Sequence, residues 1–140
     1  MKCPMKDSGG FALFSAIFIL VVLAALGAFI LNISSSQQIG SALDVQGVRA
    51  YQAARAGVEW GLYRQLQGGS CVATTNFVPT AATLAGFTVS VTCVGTPDAN
   101  GGPTIYTVTA TACSQPNAGA CPNTVNPGAL YIERRLTVTF

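Results

Sequence analysis

The longest hydrophobic run in the chain covers residues 11–31, which contain no charged residue, no proline and one interior glycine. At a rise of about 1.5 Å per residue, a helix of this length spans roughly 31 Å, enough to cross the core of a bilayer. Small residues precede the run, whereas the cleavage site of an ordinary secretory signal follows its apolar segment. We therefore predict a transmembrane helix over residues 11–31 that is not removed during export.

Residues 41–67 show the periodicity of an amphipathic helix, with larger apolar side chains near one face and Arg55 among them. Smaller residues, including Gly57 and Gly61, lie beside that face, and Gly68 and Gly69 are typical of a helix end. We predict that the side of the helix bearing Val58 and Leu62 covers a sheet. These larger residues are Val48, Tyr51, Val58, Leu62 and Leu66, and the smaller residues also include Ala50 and Ala54.

Gly57 and Gly61 allow another backbone to approach closely, and the favoured interpretation is tight packing of the helix on its own sheet. Contact with a partner helix is the alternative. Between the apolar and amphipathic segments, residues 32–40 are rich in small polar residues that form weaker helix. We expect this segment to be helical, either as a hinge or as an ordinary surface helix.

The pattern after Gly69 alternates with a period of two, which predicts β-strands over residues 86–94, 104–113 and 130–140. The connection between the first two is rich in proline and glycine and favours an antiparallel hairpin. Residues 114–129 form a long loop, and the segment 72–84 is ambiguous but has room for a short strand.

The predicted fold class is therefore α+β, with a long N-terminal helix whose C-terminal half packs on a small antiparallel sheet. A sheet of three strands with one apolar face is only marginally stable by itself, so it needs the helix to cover that face. The predicted segments are 1–10 as a leader, 11–31 as the membrane helix, 32–67 as its amphipathic continuation and 68–140 as the head.

Charge sets the expected orientation and excludes one class of partner. Lys2 and Lys6 precede the apolar run, and the first basic residue after it is Arg49, so the positive-inside rule places the N-terminus in the cytoplasm. The head is then expected on the exported side of the membrane. Without residues 1–10 the chain has five arginines and four acidic residues, which provides no basic surface for nucleic acid.

Four of the five cysteines follow the apolar run, in the compartment where disulfides persist. Three pairings are possible, and we favour Cys71 with Cys93 and Cys113 with Cys121. The sequence has no histidine, no CxxC spacing and no arrangement of a catalytic triad, so we expect no metal site, no cofactor and no enzymatic activity.

The leader MKCPMKDSGG followed by Phe11 and some twenty apolar residues resembles the class III signal of type IV pilins and of type II secretion pseudopilins. Residues 41–67 look like the helix of MshP-type biogenesis proteins of mannose-sensitive haemagglutinin (MSHA) pilus systems. The resemblance implies cleavage by a prepilin peptidase between Gly10 and Phe11, and methylation of the new N-terminal Phe11. It covers nearly the first half of the chain.

The sequence departs from major pilins at Ser15, where the family usually carries glutamate at the fifth mature position. In the family, that carboxylate is thought to neutralise the N-terminal amine of a neighbouring subunit, which a subunit at the tip would not need. The resemblance therefore implies a minor subunit that primes pilus assembly or lies at the tip. Its partners would be other pilins, the prepilin peptidase and the inner-membrane assembly platform. A protein that never enters a filament, a minor secretion pseudopilin and an adhesin-like module that binds through residues 114–129 are the alternatives.

Overall fold

The computed structural model of the protein describes residues 9–140, with side chains described from Leu13 onwards. It contains one α-helix, α1 (Gly9–Gly68), and four strands: β1 (Thr75–Phe77), β2 (Thr88–Thr96), β3 (Ile105–Cys113) and β4 (Glu133–Thr139). A short 3₁₀ turn, Ala82–Leu84, lies between β1 and β2. The predicted α+β class is confirmed, while leader residues 1–8 lie outside the described residues.

The helix α1 is continuous through residues 32–40, as predicted. It ends where Gly69 adopts a left-handed conformation with φ of 59°, which glycine reaches at little steric cost. The amide of Gly69 donates to the carbonyl of Gln65 at 3.0 Å, the five-to-one hydrogen bond of an αL cap, and the amide of Ser70 donates to the carbonyl of Arg64 at 3.2 Å. Glycine therefore ends the helix at the predicted place.

The four strands form one antiparallel sheet in the spatial order β1-β2-β3-β4. The predicted hairpin between the second and third strands is confirmed, with Val91 opposite Ala110 at its centre. The sequence predicted three strands, and the fourth is β1, a three-residue strand from the ambiguous segment. The strand predicted over residues 130–140 is shorter, because Leu130 lies in a turn and Phe140 follows the last strand residue.

The chain divides into two compact units, one ending at Ser41 and one running from Ala42 to Phe140. The described part of the first unit is helix alone, and its side chains are exposed. The second unit contains the rest of α1 together with the whole sheet, and we call it the head. The core of the head therefore includes helix residues as well as strand residues.

The predicted cover of the sheet, the Val58 and Leu62 side of the helix, is confirmed, but the stripe of larger apolar residues is only partly buried. Val48, Tyr51 and Leu66 are exposed, whereas Val58 is buried and Leu62 is half-buried. A stripe of small residues beside them forms most of the buried helix surface, and we call it the small-residue stripe. Its members are Gly47, Ala50, Ala53, Ala54, Gly57 and Gly61.

The volume of the opposing strand side chains explains this outcome. Val89, Val91 and Val108 project from β2 and β3 and fill the space between the layers, so the helix contributes small residues where they meet. A Cβ atom at Gly57 would lie 2.6 Å from Val89 Cγ1, and one at Gly61 would lie 2.6 Å from Val108 Cγ1. Packing of these two glycines on the protein's own sheet is thus confirmed.

Charged residues lie around this core rather than in it. Arg134, which interrupts the apolar face of β4, extends to α1, where a Cβ atom at Gly47 would lie 2.9 Å from its Nη2 atom. Arg55 and Glu59 form an ion pair at 3.0 Å on the exposed face of the helix. With both side chains more than 60% exposed, this pair contributes at most a few tenths of a kcal/mol.

Candidate functional site

The most unusual surface of the protein is the exposed apolar part of α1. Side chains 13–41 are all exposed, and most of those up to residue 31 are large and hydrophobic. Phe14 and Leu31, for example, are 76% and 73% exposed. This part of the helix is long and apolar enough to serve as a membrane span or a signal anchor. Such a surface requires lipid or other apolar helices around it.

The residues of the predicted processing site lie at the start of this helix. Gly10 and Phe11 have helical backbone in α1, but their side chains lie outside the described residues, as do Lys2, Lys6 and Cys3. Ser15 is exposed and lies among apolar neighbours in the same run. Cleavage and methylation thus stay predictions from the sequence.

Two disulfide bonds hold the head, and they are the two pairs favoured from the sequence. Cys71 bonds to Cys93, which ties the segment after α1 to β2, and Cys113 bonds to Cys121, which closes a short loop at the end of β3. Cys113 is completely buried. The part of the head that follows the helix is therefore held in place by covalent links as well as by packing.

The second disulfide holds residues 114–129 against the face of the sheet opposite the helix. The amide of Cys121 donates to Ser90 Oγ at 2.7 Å, and Cys121 Sγ lies 3.1 Å from the carbonyl oxygen of Thr88. Thr88, Ser90 and Thr111 are buried on that face. The loop thus covers part of a polar strand face that the alternating pattern alone would assign to solvent.

Side-chain hydrogen bonds fix the rest of this loop. The Nδ2 atom of Asn123 donates to the carbonyl of Gln115 at 3.0 Å, and its Oδ1 atom accepts from the amides of Val125 and Asn126. The Oε1 atom of Gln115 accepts from the amide of Gly128 at 2.9 Å. An ordered loop of this kind presents exposed residues, such as Val125, in a fixed arrangement.

Tyr131 connects this loop to β4. Its hydroxyl accepts from the amide of Asn123 at 3.0 Å and donates to Glu133 Oε2 at 2.6 Å. Arg135 lies 3.7 Å from Glu133 Oε1 and donates from Nε to Thr111 Oγ1 at 3.2 Å. Burial, and next the hydrogen bond to Glu133, raise the pKa of Tyr131 above its ordinary value of 10.0.

Replacing Tyr131 with phenylalanine is expected to lower the free energy of unfolding by roughly 1–2 kcal/mol, since the Asn123 amide loses its acceptor. The pKa of Tyr131 is raised in the folded state. The stability that Tyr131 contributes is therefore present below pH 10 and is lost as the pH rises through this folded-state pKa. Denaturant unfolding at several pH values checks this. The matched control is Tyr63→Phe, at an exposed tyrosine. Equal effects of the two changes would contradict the role of the Tyr131 hydroxyl.

An aromatic groove lies at the β1 edge of the head and was missed by the sequence analysis. Trp60 and Phe77 have ring centroids 5.6 Å apart, and the guanidinium of Arg64 lies 5.5 Å from the Trp60 ring. Pro79 and Leu84 complete an open groove of about 370 Å³. The available signal was the pairing of the single tryptophan with an arginine one turn later.

The acidic residues of the head are dispersed. Within the described residues, no group of three or more histidine, cysteine, aspartate or glutamate side chains is placed to hold a metal ion. Asp98 accepts a hydrogen bond from the amide of Asn100 at 3.1 Å, the arrangement of an Asx turn. The surface features that the structure shows are the exposed apolar helix, the ordered loop and the aromatic groove.

Comparison of the chain with protein-family models, with curated proteins and with solved structures finds no match.

Proposed function

We propose that this protein is a minor, pilin-like subunit in the biogenesis of an MSHA-type pilus, acting as a primer of assembly or as a subunit at the tip. The observation that carries the proposal is the helix α1, which is exposed and apolar up to residue 31 and then becomes part of the core of a small head. A helix of this kind can be held in the inner membrane and later transferred into a bundle of similar helices, because lipid tails and apolar side chains offer comparable surroundings.

In this proposal, residues 1–10 are a cytoplasmic leader that a prepilin peptidase removes, and Phe11 becomes the methylated N-terminus. The head lies in the periplasm, where its two disulfides would be stable. The subunit associates with other pilins through the helix and with the assembly platform in the inner membrane. Ser15 supports a tip or priming role, since it cannot supply the carboxylate that major pilins carry there.

The test is the N-terminal sequence and intact mass of the protein from cells with and without prepilin peptidase. We expect an N-terminus at Phe11 with one added methyl group in the first cells and the intact leader in the second. Gly10→Val should block processing, because it adds a branched side chain at the cleaved bond. Gly9→Ala is the matched control and should leave processing intact. A leader retained in peptidase-containing cells would instead indicate a signal-anchored protein.

The order of the 114–129 loop favours a second candidate, an adhesin-like module that uses this loop to contact a receptor. A minor pseudopilin of a type II secretion system is the third candidate and shares the helix argument. Pili that assemble normally but no longer adhere after changes to the loop would favour the adhesin. If cells that lack the protein lose type II secretion but keep intact pili, the pseudopilin is favoured.

A further inference from the structure

The turn between β2 and β3 contains a sequence with chemistry of its own. It covers residues 97–104, all of which are exposed, and includes the dipeptide Asn100–Gly101. The sequence has six asparagines, and Asn100 is the one followed by glycine. Glycine has no side chain to shield its amide nitrogen and adopts a wide range of backbone angles. The amide nitrogen after Asn100 is therefore more accessible than the one after any other asparagine.

The geometry of the turn leaves the Asn100 side chain free to react. Its backbone amide donates to Asp98 Oδ1 at 3.1 Å, but no hydrogen bond to its side-chain amide is found in the described part of the chain. The amide of Gly101 donates to the carbonyl of Asp98 at 3.3 Å, which is long for such a bond. Because this bond lies in an exposed turn, little free energy is needed to open it.

We propose that Asn100 is a site of spontaneous deamidation through a cyclic imide formed with Gly101. The Gly101 nitrogen loses its proton and attacks Asn100 Cγ, so an N–Cγ bond forms. The Cγ–Nδ2 bond breaks, and the side-chain nitrogen leaves as ammonia after taking up a proton. One water molecule then opens the ring at either carbonyl, which gives aspartate or isoaspartate at position 100. No oxidant, reductant or cofactor is consumed.

Three of the four other asparagines of the head provide an internal comparison. Asn123 has both side-chain amide atoms in hydrogen bonds and is followed by the β-branched Thr124. Asn126 is followed by proline, which has no amide proton to lose. Asn117 is followed by Ala118, and its backbone is paired with Ala120 at 3.0 Å in both directions. Each of these sites is restrained in a way that Asn100 is not.

The reaction would change both the charge and the backbone of the turn. It adds a carboxylate two residues from Asp98, whose own carboxylate lies against Gly102. The five arginines of residues 11–140 would then be matched by five acidic groups, one more than the four acidic residues of that range. Isoaspartate also lengthens the backbone by one methylene group, which alters the connection between β2 and β3.

The experiment incubates the folded full-length protein in detergent, in water enriched in heavy oxygen, at neutral and at mildly alkaline pH. Peptide mapping by mass spectrometry then measures heavy oxygen at each asparagine. We expect label at position 100 at least an order of magnitude faster than at Asn117 or Asn123, and faster at the higher pH. Both aspartate and isoaspartate should form, since the ring opens at either carbonyl.

The matched variant is Asn100→Gln, which keeps an amide side chain but requires a larger and slower-forming ring. It should show no label at position 100 over the same period. The same incubation in denaturant gives the rate without the folded turn, and we expect the folded rate to lie within several-fold of it. The proposal is overturned if Asn100 reacts no faster than Asn117, if no isoaspartate forms, or if folding slows the reaction by more than an order of magnitude.

Discussion

Replacing Gly57 with valine is expected to lower the free energy of unfolding of the head by about 3 kcal/mol, at the upper end of the cost of overpacking a core. A Cβ atom at this position would lie 2.6 Å from Val89 Cγ1, 2.9 Å from Ala110 Cβ and 3.1 Å from Val91 Cγ2. The Ala110 methyl is fixed to its strand and cannot rotate away. The helix and sheet must therefore separate to admit the new side chain.

Denaturant unfolding of the full-length protein in detergent, followed by the fluorescence of its single tryptophan, measures this effect. Trp60 lies on α1 and contacts Phe77 of β1, so its emission reports on the separation of helix and sheet. The control is Gly40→Val, since a Cβ atom at Gly40 meets nothing within 4 Å. Equal destabilisation by both changes would mean that helix propensity, rather than packing, controls the result.

Removal of the Cys71–Cys93 disulfide by a double change to alanine is expected to cost about 3 kcal/mol, because the two residues are 22 apart in sequence. Closing a loop of this length restricts the unfolded chain, and its loss frees that chain. The Cys113–Cys121 bond spans 8 residues, so by the same argument its removal should cost less, about 2.5 kcal/mol.

The midpoint of thermal unfolding distinguishes these two variants, and limited proteolysis locates the change. Removal of Cys113–Cys121 should open residues 114–129 locally, since this bond holds the loop on Ser90 and Thr88. Removal of Cys71–Cys93 should instead lower the stability of the whole head. A larger loss from the shorter loop would show that burial of Cys113 outweighs chain entropy.

The sequence predicted the strands well where two residue types alternate clearly. Valine and alanine at positions 89, 91, 108, 110 and 112 are buried, and the serine and threonines between them point to the other face. The helix end was also predictable, because Gly69 has the left-handed conformation that few other residues adopt. In both cases the signal is local and depends on the chemistry of neighbouring residues.

The buried face of the helix was not predictable from hydrophobicity. Val48, Tyr51 and Leu66 have the larger apolar side chains, but the contact is determined by the volume of valines far away in sequence. The spacing of small residues at 47, 50, 54, 57 and 61 carried the information. Packing of Gly57 and Gly61 on the sheet was predicted from it, whereas the contacts of the other small residues became clear only from the opposing strands. The strand β1, with three residues, is too short for any periodicity to show.

The functional residues also divide into those that the sequence could predict and those that it could not. Cys71, Cys93, Cys113 and Cys121 could be paired from the predicted elements. The hydrogen bonds of Asn123 and Tyr131 could not, because they depend on how a sixteen-residue loop returns to the sheet. The proposed processing at Gly10 would depend on recognition by another protein, which the fold of the head does not encode.

The small-residue stripe also determines how the head would respond to mechanical load. A pull along α1 would have to drag Gly57 and Gly61 past the methyl groups of Val89 and Val108, which sit in the notches that those glycines leave. At Gly57 and Gly61 this resistance comes from shape, and the contacting groups are uncharged, so ionic strength and pH should change it little. The grip of the sheet on this part of the helix is thus expected to be similar in widely different surroundings.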